Sequence, residues 1–158
     1  MRVKPGELDL DIFERLLAEG RSALEGGDPA DAVAAFREAE ALWRGRPLAD
    51  LEFEPFARLE VERLEELRLA AVEDRIEAEL ELGRHAALVP ELEAMVAEHP
   101  LQERLRRLLM VALYRAGRQA EALEAYREGR RELLDELGLE PGPEIGRASC
   151  RERVYGTV

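Results

Sequence analysis

The chain has 158 residues, 46% of them hydrophobic and 5% aromatic, and a formal net charge of -12 at pH 7; it has material for one domain-sized core but the wrong sign for gripping phosphate. Ala, Leu, Glu and Arg dominate over β-branched and aromatic residues, which points to an all-α fold. The one cysteine, Cys150, can form no internal disulfide, the N-terminus has no secretory pattern, and no apolar run approaches the roughly 18 to 20 residues that cross a bilayer, so a cytoplasmic protein without a membrane segment is expected.

In chain order, a helix is expected over 8–25, with Leu10, Phe13, Leu16 or Leu17 and Leu24 on one face, stopped at Gly26-Gly27. Asp28 caps a second helix, near 29–43, with Pro29 at its first position. The stretch from Arg44 to Pro55, holding Gly45 and Pro47, reads as a loop. A long helix follows near 56–82. Its apolar residues form two stripes, Leu64, Leu67, Ala71 and Ala78 on one side and Leu69, Val72, Ile76 and Leu80 on another, as a helix with neighbours on both sides requires. Three more helices are expected near 84–98, 101–116 and 119–137.

One ten-residue pattern recurs: GDPADAVAAF from Gly27, GRHAALVPEL from Gly83 and GRQAEALEAY from Gly117. Aligned on the glycines, the copies place Ala32, Leu88 and Ala122 together, then Val33, Val89 and Leu123, then Phe36, Leu92 and Tyr126. Gly83 and Gly117 are 34 residues apart, the tetratricopeptide period; Gly27 and Gly83 are 56 apart, one period plus 22 residues that fall on the Trp43 to Pro55 connection and the long helix. The expected architecture is a tetratricopeptide-like α-solenoid of about three helical hairpins, each burying the apolar face of the last. Gly20 is the small residue expected where the first hairpin's helices approach; Met110 stands at the matching place in the last.

The run from Ala41 to Glu144, with LWRGRPLADL, EPFARLE, LEELRLAAVEDRIEAEL, HPLQERLRRLLMVALYRAGRQAEAL and ELGLEPGPE, resembles the bacterial transcriptional activator domain of the Streptomyces antibiotic regulatory protein family, and ELDLDIFERLLAEGR extends the likeness toward the N-terminus. The resemblance implies three segments: 1–7, similar to the last strand of a preceding winged-helix domain; 8–144, the tetratricopeptide-like activator domain; and 145–158, which lacks the further amphipathic helix of the family and is expected to be a non-native or disordered tail. With that tail foreign to the domain, apolar surface near Leu133, Leu134 and Leu137 should stay partly uncovered. The resemblance further implies a regulatory module that self-associates or contacts the transcription machinery, and that meets DNA only through a winged-helix domain outside this sequence. The alternative is a generic tetratricopeptide scaffold for peptides. The absence of Asn and the presence of a single Lys, Lys4, count against the usual carboxylate clamp of such scaffolds.

No catalytic, cofactor or metal site is expected. Ser22, Ser149 and Thr157 have no evident base, His85 and His99 are isolated, and no glycine-rich phosphate loop occurs. Residues 7–100 carry 25 acidic and 10 basic side chains, whereas 101–135 carry 6 and 8, so an anion-facing surface would lie in the second stretch. Arg104, Arg107 and Arg118 are the candidate partner contacts there, against the plainer reading that its arginines, Arg106 included, lie on solvated helix faces beside Glu. Trp43, the sole tryptophan, is the fourth candidate, as an aromatic anchor; alternatively it packs under the loop with Phe53 and Phe56.

Overall fold

The computed structural model describes residues 5–43 and 55–143. Among them are six helices and no strand: α1 (Pro5–Glu25), α2 (Pro29–Ala41), α3 (Pro55–Glu81), α4 (His85–Glu98), α5 (Glu103–Arg115) and α6 (Gln119–Leu137). They divide into two compact units, Met1–Leu82 with α1 to α3 and Gly83–Val158 with α4 to α6. All six expected helices are present. Pro5 to Glu7, which the resemblance assigned to a preceding strand, form the first turn of α1, and α2 ends two residues before Trp43. The loop read between Arg44 and Pro55 and the tail from 145 lie outside the described residues.

The recurring glycines have a shared backbone reason. Gly27, Gly83 and Gly117 adopt φ of 81°, 80° and 81°, the left-handed conformation that costs a residue with a Cβ about 1–2 kcal/mol. At Gly27 the turn closes by Gly27 N–H to Leu24 O at 3.1 Å and Asp28 N–H to Ala23 O at 2.9 Å; at Gly117 the same pair runs to Tyr114 O at 2.9 Å and from Arg118 N–H to Leu113 O at 2.8 Å. These are Schellman closures, which satisfy the last carbonyls of one helix while turning the chain into the next. Asp28 then accepts from Asp31 N–H at 3.2 Å, so the expected cap and the Pro29 start are both in place.

In the first unit Phe13, Leu16 and Leu17 of α1, Ala32, Val33, Phe36 and Ala39 of α2, and Ala71 and Ala78 of α3 form one buried cluster. Gly20 lets α1 and α2 approach: a Cβ there would lie 2.5 Å from Cε1 of Phe36, whose ring is fully buried. On α3 the second expected stripe is also buried at Ile76 and Leu80.

In the second unit α5 packs against both α4 and α6, and accordingly Leu105, Leu108, Leu109, Met110, Ala112 and Leu113 are all buried along it. The aligned positions of the three copies are buried in α2 and α4, but Leu123 and Tyr126 of α6 are only half-buried. Leu134 and Leu137 are 37% and 53% exposed, as expected for a last helix; Leu133, expected to join them, is 5% exposed.

Gly20→Ala should destabilise the first unit by about 1–2 kcal/mol, because overpacking against a ring that cannot retreat outweighs the better helix propensity of Ala. Adding Phe36→Leu should recover part of that loss. A double-mutant cycle by denaturant titration checks the coupling, and strict additivity would contradict the close approach.

Candidate interaction surfaces

Trp43 follows the end of α2 and is half-buried, with its ring edge-on to Phe13, centroids 5.2 Å apart and planes at 89°. The Arg68 guanidinium of α3 stands 5.8 Å from the ring centroid, within cation–π range. The indole is therefore a joint between α1, α2 and α3. Its Nε1 is buried and finds no hydrogen-bond acceptor among the described residues. Phe53 lies outside those residues, and the packing found for Trp43 is on Phe13.

α3 also carries charged side chains into the interior. Glu73, Asp74, Arg75 and Glu79 are 4–7% exposed. Asp74 accepts from Arg21 Nε of α1 at 2.7 Å. Arg75 donates from Nε to Glu40 of α2 at 2.6 Å and from Nη1 to Glu79 at 3.0 Å, and Arg37 of α2 donates to the same Glu79 oxygen at 3.0 Å. The pairs 37 with 79 and 40 with 75 run in opposite senses, so α2 and α3 are antiparallel neighbours. Burial by itself would raise the Glu79 carboxyl, but the hydrogen bonds from Arg75 and Arg37, together with their charges, win and hold it below its ordinary 4.5.

The second unit holds the arginine candidates, and they do not converge. Arg104 and Arg107 share the first turns of α5, are half-buried, and have interaction partners of their own. Arg118 sits at the N-terminus of α6, beyond the far end of α5, which lies about 12 Å along the axis from Arg107 and about 16 Å from Arg104. It is exposed and engaged, donating from Nε to Glu121 at 2.9 Å and from Nη2 to the other oxygen of the same carboxylate, with Glu93 of α4 at 3.9 Å. Its fork holds the Glu121 carboxyl below the usual range.

Arg106 corrects the solvated-face reading. It is 3% exposed, donates from Nη1 to Ala125 O at 3.1 Å and from Nη2 to Pro100 O at 3.2 Å, and pairs with the Glu132 carboxylate. Gly129, in the middle of α6, makes the room: a Cβ there would overlap the Cδ and Nε of Arg106. The signal available in the sequence was the glycine itself, since one inside an amphipathic helix marks a close neighbour more often than a break.

Among the described residues, no group of three or more His, Cys, Asp or Glu is arranged to hold a metal ion, and no helix is long and apolar enough to cross a membrane. His99 lies on the surface 4.0 Å from Glu98. His85 is half-buried at the start of α4.

Two variants test the interior charges. Because the folded-state Glu79 carboxyl is lowered, its stabilisation is complete above about pH 4.5 and is lost as pH falls through the lowered value. The stability difference between wild type and Glu79→Gln should thus be flat from neutral pH down to that point and shrink below it, in urea titrations at stepped pH. Arg106→Lys keeps the charge but not the fork, and should cost about 1–3 kcal/mol with acceptors left unmatched in the interior, read as a lowered denaturation midpoint.

The architecture has close counterparts. A model of the bacterial transcriptional activator domain matches residues 8–151. The chain is 47% identical over 143 residues to the regulatory protein DnrI of Streptomyces peucetius, spanning 90% of this chain and 53% of that one, and 46% identical over 154 residues to the regulatory protein AfsR of Streptomyces griseus, spanning 98% and 16%. The solved structure of Mycobacterium tuberculosis EmbR in complex with a low-affinity phosphopeptide matches with a TM-score of 0.90 at 35% identity, over 93% of this chain and 39% of that one. The chain spans about half the length of DnrI and less of the other two. With its helices, its left-handed turns and these relatives in agreement, the chain belongs to the bacterial transcriptional activator domain family, among the Streptomyces antibiotic regulatory proteins.

Proposed function

We propose that this chain is the regulatory, protein-contacting module of a transcriptional activator, which self-associates or touches the transcription machinery while a separate winged-helix domain reads DNA. The observation that carries the reading is the family match over residues 8–151 in a chain spanning about half or less of regulators such as DnrI and AfsR. The charge agrees: at -12 the chain opposes the phosphate backbone, and its interior arginines are committed to carboxylates and carbonyls. EmbR, solved in complex with a low-affinity phosphopeptide, is a relative that takes a peptide ligand. Of the four candidate contacts, Arg118 is the exposed one, and Trp43 offers what its half-buried ring leaves uncovered.

The module works by presenting surfaces, with no chemistry of its own and no cofactor, in the cytoplasm. Added alone to promoter DNA at physiological salt, the chain should give no saturable, site-selective gel shift. Fused to a heterologous DNA-binding domain that does not activate, it should raise reporter transcription or, in sedimentation equilibrium, form a dimer. A site-selective complex of the isolated chain, or failure of both activation and self-association, would overturn the reading.

A further inference from the structure

Beyond Gly138, which ends α6 with φ of 65°, the chain does not continue along the helix axis. Gly142 N–H donates to Glu103 Oε2, on the first turn of α5, at 2.7 Å. Glu140 takes both prongs of Arg130 on α6, Nε at 2.8 Å and Nη2 at 2.9 Å. Beyond the Leu139 N–H to Leu133 O bond at 3.3 Å that closes α6, the segment from Leu139 to Pro143 is thus tied by Glu140 to α6 and by Gly142 to α5. Apolar burial does little at its start, since Leu139 is 58% exposed. Gly142 is suited to its place, because a Cβ there would lie 2.8 Å from the Glu103 oxygen. The anchored end is also where Arg106, one turn beyond Glu103, joins α5 to Glu132 and to the Pro100 turn.

The geometry points to residues 139–143 as an electrostatic latch: a strap held on the α5–α6 hairpin by Glu103 and Arg130, releasable without unfolding the hairpin, which sets the direction in which the chain leaves the unit. A carboxylate receiving a backbone N–H and a forked guanidinium–carboxylate pair are both oriented contacts, so the strap has one docked position. The Arg130–Glu140 pair is exposed, and salt screens it. The latch therefore responds to ionic strength, whereas the apolar packing of α5 on α6 does not weaken with salt. When it is closed, whatever follows Pro143 is delivered toward the start of α5; when it is open, the following segment pivots at Gly138.

Amide hydrogen exchange by NMR on the full 158-residue chain tests this. The Gly142 amide should be protected, and Glu103→Ala should speed its exchange about tenfold or more, as loss of a hydrogen bond to a charged group implies. The amides of Ala125, Gly129 and Leu133 on α6 should keep wild-type rates. If Glu103→Ala disturbs α6 as well, Arg130→Gln supplies the second arm: it should speed Gly142 exchange with α6 intact and remove most of the salt dependence seen in wild type. A Gly142 amide that exchanges at unstructured-peptide rates in wild type, or is unmoved by both substitutions, would overturn the latch. So would release only together with α6.

Discussion

Reversal of the chain at a left-handed glycine is the constraint on which the rest of this molecule depends. Gly27 and Gly117 close their helices by the same two backbone hydrogen bonds, and Gly83 takes the same φ. At Gly27 and Gly117 a turn this tight sets α1 beside α2 and α5 beside α6, and the register of the turn decides which faces meet. From that follow the burial of Phe36 against the bare backbone at Gly20 and the seating of α5 on α6. The repeated sequence pattern is the visible trace of a repeated backbone solution. The side chains at its aligned positions, Phe36, Leu92 and Tyr126, vary in kind because each must suit only its own neighbours.

Charge enters the interior in a controlled way. Asp74, Arg75 and Glu79 of α3 are buried with partners of opposite sign from α1 and α2. Removing such groups from water is expensive, and the return in Coulomb energy and hydrogen bonds roughly balances that cost. Their effect is directional. An apolar contact between α2 and α3 tolerates sliding, but the two crossing pairs, Arg37 with Glu79 and Arg75 with Glu40, do not. Fixed orientation of α1, α2 and α3, more than extra stability, is what these pairs supply.

Much of the helical layout was legible in the sequence because it is encoded locally: 3.6-residue periodicity, glycine stops and the Asp28-Pro29 start each act within a few residues. The two stripes of α3 were legible for the same reason. The interior charges were not. Nothing near Glu79 distinguishes it from Glu77 or Glu81, which stay partly or fully exposed; its burial follows from the α2–α3 register. Arg106 was misread as solvated because its environment comes from Pro100, Ala125, Gly129 and Glu132, up to 26 residues away. Trp43 meets Phe13, thirty residues behind it and brought within reach by the first hairpin, a contact that no local pattern announces; Phe53 and the side chain of Phe56 lie outside the described residues.

The guanidinium of Arg106 opposite the hydrogen-only position at Gly129 also proofreads the pairing of α5 with α6. Suppose α6 slid by one helical turn during folding. Ala125 or Leu133 would arrive at the slot, where a methyl or isobutyl group would collide with the arginine stem, even though Glu128 or Glu136 would come to the place of Glu132. Misaligned pairings that greasy side chains alone would accept are thereby rejected, and the hairpin is left with a single admissible alignment.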